Sequence, residues 1–376
     1  MRGRTLSIVV LLLIAISGAA ISGCGRDASR TSIASHRAPR QAAAISVPPA
    51  SGGLYVNPDT PALSQARVWR ATGDARDARA VLRIAVQPTA VWLTGNESPR
   101  AAAARLVAAA AQANGIAQLV LYDIPDRDCQ SYSAGGARSA GEYERWIDQV
   151  AQGLGTRRVI VVVEPDAIDQ AASGCISPDQ ALARYQLLAA AVTRLKSDPR
   201  ARVYLDAGHA GWLSPAQLDE PLLQSGIAQA DGFALNVANF QTTQASIAYG
   251  TELSRELGGK HFVIDTGRNG AGPPPGSGGG VDQWCNPRGR ALGSAPTLHT
   301  GVPLVDGFLW VKYPGESDGA CSLGDPPAGV WWPQYALGLV DHTPATAAAS
   351  GHPAAAAGGQ SAASGHPAVR SASPSA

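Results

Sequence analysis

Seven short runs rich in β-branched residues recur along the chain: Val81–Val86, Gln118–Tyr122, Arg158–Val163, Arg202–Leu205, Gly232–Leu235, His261–Ile264 and Gly307–Val311. From Val159 to Val163 every position is apolar, the pattern of a strand buried on both faces, as in a parallel sheet. Helix-period segments separate most of the runs: Ser98–Ala113, Gly141–Gly153, Pro178–Ser197, Pro215–Ser225 and Thr243–Leu257. Ser177 followed by Pro178 reads as an N-cap with proline at the first helical position. Strands alternating with helices in this way point to an α/β chain, either a parallel barrel or a doubly wound sheet.

The residues at the end of each run narrow the chemistry. The second run leads into Asp123, Asp126, Arg127 and Asp128, the third into Glu164 and Asp166, and the fourth into Asp206 and His209. The fifth leads into Asn236 and Asn239, the sixth into Asp265 and Arg268, and the last into Lys312, Glu316 and Asp318. A parallel barrel gathers the carboxyl ends of its strands on one face, where active sites form. The expected site is therefore a cleft lined by carboxylates, with a histidine, arginines and a lysine among them. Trp92, Trp212 and Trp284 fall in the same loops. Flat indoles beside carboxylates suit a sugar polymer, whose ring faces pack on apolar rings while its hydroxyls bond to the acids. Trp310, inside the last run, is expected in the core, and Trp331-Trp332 is ambiguous.

The ends of the chain read differently. Arg2 and Arg4 precede an apolar stretch from Leu6, the form of an export signal covering residues 1–23. Ile21-Ser22-Gly23-Cys24 is similar to a bacterial lipobox, so Cys24 is expected to carry lipid and to anchor the exported chain at the outer face of the cytoplasmic membrane; the alternative is ordinary cleavage near Ala19-Ala20 and a secreted chain. Residues 24–52 read as a flexible spacer and 344–376 as an Ala/Gly/Ser/Pro tail in which His352 and His366 are inert. The interval 53–343 is then one barrel-sized domain. With 30 basic against 29 acidic residues, the chain lacks the basic excess that nucleic-acid binding requires. Four cysteines remain beyond Cys24, and two disulfides among them allow three pairings. No CxxC spacing points to zinc.

Longer motifs carry a resemblance. Leu121–Cys129, LYDIPDRDC, resembles the YD-x-PDRDC signature of glycoside hydrolase family 6, the cellobiohydrolases and endoglucanases. Val163-Glu164-Pro165-Asp166 resembles its V-[VI]-E-P-D signature, and Tyr204–Trp212 its YLDAGHAGW segment. Asn236–Asn239, Asp265–Arg268, Trp284–Pro287, Trp310–Lys312 and Pro314–Gly319 follow in register. The resemblance implies a distorted seven-stranded parallel (β/α) barrel, TIM-like, that hydrolyses β-1,4-glucan with inversion and without a metal or other cofactor. It implies Asp166 as general acid, Asp128 as the neighbour that keeps this acid protonated and helps the water network, and Tyr122 as the residue crowding the cleaved sugar. It also implies Asp318 as the candidate base and Ser133 as the hydroxyl that holds a water. Trp92, Asp206, His209, Trp212, Asn239, Arg268, Trp284, Lys312 and Glu316 are the implied substrate ligands, and Cys129–Cys175 and Cys285–Cys321 the implied disulfides.

A general acid must hold its proton at working pH, so Asp166 needs a raised pKa, which the like charge of Asp128 is expected to supply. Arg127 is expected in a structural ion pair elsewhere. Short loops, with two residues between Asp318 and Cys321, imply an open cleft and internal cutting, and Gly270–Gly280 a rim loop. The spacer and the tail hold no aromatic residue with which to stack on crystalline cellulose, which favours soluble or amorphous glucan. The expected enzyme is a monomeric endo-β-1,4-glucanase, with β-1,4-glucan as its partner and the membrane met only through Cys24. The rival readings are an exo-acting cellobiohydrolase, a non-catalytic surface glycan-binding lipoprotein, and a metal-dependent hydrolase using Asp206 and His209.

Overall fold

The computed structural model describes residues 45–276 and 284–344. The expected leader, Cys24, most of the spacer, both tail histidines and a stretch of the rim loop lie outside the described residues. The described chain begins within the stretch read as spacer. Ile45 and Val47 pack on a core cluster, and β1 (Ala50–Ser51) pairs antiparallel with β2 (Leu54–Tyr55).

Seven parallel strands form one curled sheet: β3 (Val91–Leu93), β4 (Ala117–Leu121), β5 (Val159–Val163), β6 (Ala201–Asp206), β7 (Gly232–Leu235), β8 (His261–Asp265) and β9 (Val305–Leu309). Their spatial order is their chain order. Among the described residues no ladder joins β3 to β9, yet Ala90 N–H donates to Trp310 O at 3.0 Å and Trp92 Nε1–H to Val311 O at 2.8 Å. The two edges therefore meet, and the sheet is a distorted, TIM-like α/β barrel.

The period-2 alternation of each strand sorts its residues to two sides. Val120, Tyr122, Ile160, Val162, Tyr204, Ala234, Val263 and Leu309 form one apolar cluster inside the curl. Leu119, Leu121, Val161, Val163, Val203, Leu205 and Phe233 pack outward against helices. Those helices are α3 (Pro99–Gln112), α4 (Ala140–Leu154), α5 (Ala167–Ala172), α6 (Pro178–Leu195), α7 (Pro215–Gln224) and α8 (Thr243–Glu256). Two of them start with a full capping box, Ser177 with Gln180 and Ser214 with Gln217, each followed by proline.

Val81–Val86 is not a strand. Val81–Ala85 lies in α2 (Ala75–Ala85), with Val86 as its C-cap, and α2 packs beside α1 (Pro61–Thr72) and α9 (Pro333–Asp341). Val81, Ile84 and Ala85, spaced three and four apart, bury one helical face in a cluster with Tyr335, Leu339 and Val340. The seventh strand is instead Val91–Leu93, so Trp92 sits in a strand rather than a loop. The last strand also starts two residues earlier than its run, at Val305, and Trp310 follows it with 2% exposure, in the core.

Candidate active site

The carboxyl ends of β4, β5, β6 and β9 open on a cleft of about 1180 Å³. Tyr122, Asp128, Ser133, Asp166, His209, Asn239, Lys312 and Asp318 line it, with Trp92, Trp212 and Trp284. The backbone here leaves the common regions. Asp128, Cys129, Gln130, Glu164 and Asp166 have φ of 57°, 47°, 67°, 49° and 69°. Non-glycine residues in this left-handed region are uncommon and are held there by their surroundings.

Asp206 supplies some of that hold. It is 1% exposed, and its Oδ2 accepts from the N–H of Asp166 at 2.8 Å and of Gly208 at 3.3 Å. Asp206 thus grips the backbone of the candidate acid instead of lining the cleft. Glu164, at the end of the neighbouring strand β5, acts in a similar way. It is 1% exposed, and its carboxyl accepts from the N–H of Asp123 and of Ile124, each at 3.0 Å. It stitches the LYDIPDRDC loop to the VEPD turn, and burial pushes its pKa up to about 8. Arg184 adds a third tie, donating to the carbonyls of Ala167, Pro125 and Asp126.

Asp166 is half-buried in the cleft wall. Its pKa is pushed up to about 7, first by burial, then by the like charges of Asp128 and Asp318, against an opposing pull from Lys312. Asp128 therefore contributes in the expected direction, but desolvation is the larger cause. Asp128 is itself fixed: Oδ2 accepts from Ser133 N–H at 2.6 Å and Oδ1 from Gln170 Nε2 at 3.0 Å. The backbone of Ser133 is thus committed to Asp128. Gln170 rides on α5, and nothing in the motifs marked it.

Asp318 enters the cleft from the other side. Its Oδ2 accepts from Arg268 Nη1 at 2.8 Å and from Asn286 N–H at 3.0 Å, and its Oδ1 lies 4.0 Å from Lys312 Nζ. Arg268, 2% exposed, is spent on Asp318, on Ala238 O and on the face of Phe240 at 4.5 Å, and does not line the cleft. Glu316 is also set back from the cleft lining. Lys312 Nζ donates to Ser317 O at 3.0 Å, and burial lowers its pKa.

The aromatic wall is built from edge contacts. Trp92 meets Tyr122 at 5.3 Å and 88°, and the Arg127 guanidinium lies 4.8 Å over the Tyr122 ring. Arg127 forms no structural ion pair among the described residues. It clamps the loop through the carbonyls of Ser133, Thr94 and Tyr122. Trp212 Nε1–H donates to Ser173 Oγ at 3.1 Å, beside His209, which burial keeps neutral with a pKa of about 4. Asn239 Oδ1 accepts from Phe240 N–H at 2.8 Å. Pro273 and Pro274 bring the described segment of the rim loop to the cleft.

The disulfides follow the sequential pairing, Cys129–Cys175 and Cys285–Cys321. The first ties the residue after Asp128 to the segment following α5; the second ties the residue after Trp284 to the loop following Asp318.

A parallel barrel presenting an enclosed acid opposite a second carboxylate, in an aromatic-walled trench, has the layout of a glycoside hydrolase. Comparison with known proteins sharpens that class. The model of the family described as glycosyl hydrolases family 6 matches residues 50–343, and the chain belongs to that family. Endoglucanase A of Cellulomonas fimi is 45% identical over 294 residues, covering 77% of this chain and 61% of that protein. Endoglucanase 1 of Streptomyces sp. (strain KSM-9) is 40% identical over 273 residues, 71% of this chain and 73% of that one. The solved structure of the endoglucanase Cel6 from Mycobacterium tuberculosis, in complex with a thio-linked methyl cellobiosyl-cellobioside, superposes with a TM-score of 0.73 at 43% identity. That match covers 79% of this chain and 99% of the Cel6 chain.

Proposed function

We propose that the protein cleaves internal β-1,4-glucosidic bonds of cellulose or a related β-glucan, with inversion at the anomeric carbon. The observation that carries this is the placement of Asp166. A carboxyl with pKa about 7 stands in a cleft lined by Trp92, Trp212 and Trp284, facing a site that also holds Asp128 and Asp318. Asp166 protonates the departing glycosidic oxygen. Asp318, ion-paired to Arg268, is the base that receives a proton from the attacking water, and Asp128 with Ser133 orders that water. Tyr122 crowds the sugar at the cleavage point, and the indoles stack on its neighbours. The endoglucanase names of the Cellulomonas and Streptomyces relatives and the oligosaccharide in the Cel6 complex support a glucan substrate and internal cutting.

Two disulfides fit a working chain in an oxidising compartment, in keeping with export. We extend this to a monomer held at the cell surface by lipid on Cys24, a step that rests on the sequence alone. The catalytic reading is tested by Asp166→Asn on carboxymethylcellulose. Reducing-sugar release and viscosity loss should both fall by about 100-fold or more. Equal release from both proteins removes Asp166 as the acid.

A further inference from the structure

Tyr132 has no place in the mechanism above, yet it stands where the two disulfide-bonded loops meet. The turn that carries it is held on either side. Ser131 N–H donates to Asp128 O at 2.8 Å, Ser133 N–H to Asp128 Oδ2 at 2.6 Å, and Arg127 Nε to Ser133 O at 2.8 Å. Tyr132 therefore projects from a turn whose other members hold Asp128.

Its ring leaves that loop and packs on the opposite one. The side chain lies against Gly319, the residue after Asp318: a β-carbon there would fall 2.6 Å from both Cβ and Cγ of Tyr132. Only glycine leaves room for this approach. Gly319 is itself fixed, its carbonyl accepting from Asn286 Nδ2 at 2.8 Å and from Ser317 Oγ at 3.1 Å. Across the cleft rim the Tyr132 ring meets Trp284 at 5.9 Å and 63°, an edge-to-face contact next to Cys285. Tyr132 is 43% exposed and Trp284 37%, and both line the cleft. One side chain thus touches the residue beside Asp318 and the indole beside Cys285, while its backbone belongs to the turn that orders Asp128 and Ser133.

We propose that Tyr132 is a positioning residue that interlocks the two loops, setting Asp128 and Ser133 in register with Asp318 as glucan seats along Trp284. The inference rests on the hydrolytic reading given above. Ring packing performs the task, not the hydroxyl. Loss of the ring leaves every group of the site present but lets the Ser133 turn drift, and misplacement of this kind lowers turnover rather than affinity.

The test uses the full chain with Tyr132→Ala, Tyr132→Phe and Gly319→Ala, assayed on cellopentaose and by hydrogen exchange of residues 129–135. Tyr132→Ala should lower kcat about tenfold or more with KM changed by less than about threefold. Tyr132→Phe should restore kcat to within about twofold. Gly319→Ala, which pushes the ring away without removing it, should reproduce the alanine loss. Both damaging variants should speed exchange at Ser131, Ser133 and Ala134 while the core strands keep their protection. The proposal is overturned if Tyr132→Ala raises KM alone, if Tyr132→Phe is as impaired as Tyr132→Ala, or if exchange in the turn is unchanged. Inactive wild type on every β-1,4-glucan would instead remove the hydrolytic reading, and the exchange rates would still decide whether the interlock exists.

Discussion

Replacing Asp128 by Asn isolates one contribution to the acid. The carboxyl of Asp166 sits at about 7 because of burial first, Asp128 second and Asp318 third, with Lys312 opposing. The substitution removes the second cause and leaves the others. Each 1.4 kcal/mol or so of repulsion between like charges raises a carboxyl by about one pH unit. The side chain keeps an oxygen for Ser133 N–H, and Gln170 can turn its amide over to meet the new NH2 group, so the loop should hold. A deprotonated acid cannot serve the leaving oxygen, so wild-type activity should fall as pH rises through about 7. In Asp128→Asn the alkaline limb of kcat/KM against pH, measured on a soluble cello-oligosaccharide, should move about 1 to 1.5 units toward acid. An unmoved limb, or one moved toward alkali, refutes the assignment of Asp128 as the charge that raises Asp166.

Arg268→Ala should be costly for stability. Among the described residues it leaves the Asp318 carboxylate, whose side chain is 4% exposed, with Lys312 at 4.0 Å and the Asn286 N–H. Stranding a buried charge costs about 3–5 kcal/mol, read by urea denaturation, and a loss under about 1 kcal/mol contradicts the pairing. Stability should also respond to pH in a defined direction. Asp123, Asp166 and Glu164 titrate in the folded protein at about 6, 7 and 8, above their unfolded values. Between about pH 8.5 and 6.5 the folded chain takes up protons that the unfolded chain does not, so stability rises as pH falls. Below about pH 6.5 the neutral His209, lowered to about 4, works the other way. Thermal melts across this range should show Tm climbing as pH is lowered from about 8.5 to 6.5, and a flat or falling Tm opposes the burial of these carboxyls.

The strand ends held most of the legible chemistry. Asp128, Asp166 and Asp318 converge on one cleft because each follows a parallel strand, and parallel strands deliver their carboxyl ends to one side. Trp212 and Trp284 reach the same trench from the segments that follow β6 and β8, and Trp92 reaches it from within β3. Two elements were hidden by composition and length. Val81–Val86 is β-branched at three of its six positions, yet Val81, Ile84 and Ala85 also mark a helical face. The true first strand of the barrel, Val91–Leu93, has 3 residues and no periodicity to detect.

The roles of buried polar groups were hidden for a different reason. Asp206 and Arg268 sit in the same motifs as the cleft residues, but they turn inward, to the Asp166 backbone and to Asp318. Gln170 and Tyr132 act through turns whose backbone lies in the left-handed region at Asp128, Cys129 and Gln130. No propensity rule anticipates three successive non-glycine residues there.

The central claim is cleavage with inversion by an acid at Asp166, and the anomer of the first product tests it most directly. Proton NMR should follow wild-type hydrolysis of cellopentaose before mutarotation, with Asp166→Asn as control. Inversion at a β-linkage predicts that the new reducing end appears first as the α-anomer and that Asp166→Asn produces almost none. The β-anomer appearing first, from an enzyme that depends on Asp166, would contradict the mechanism.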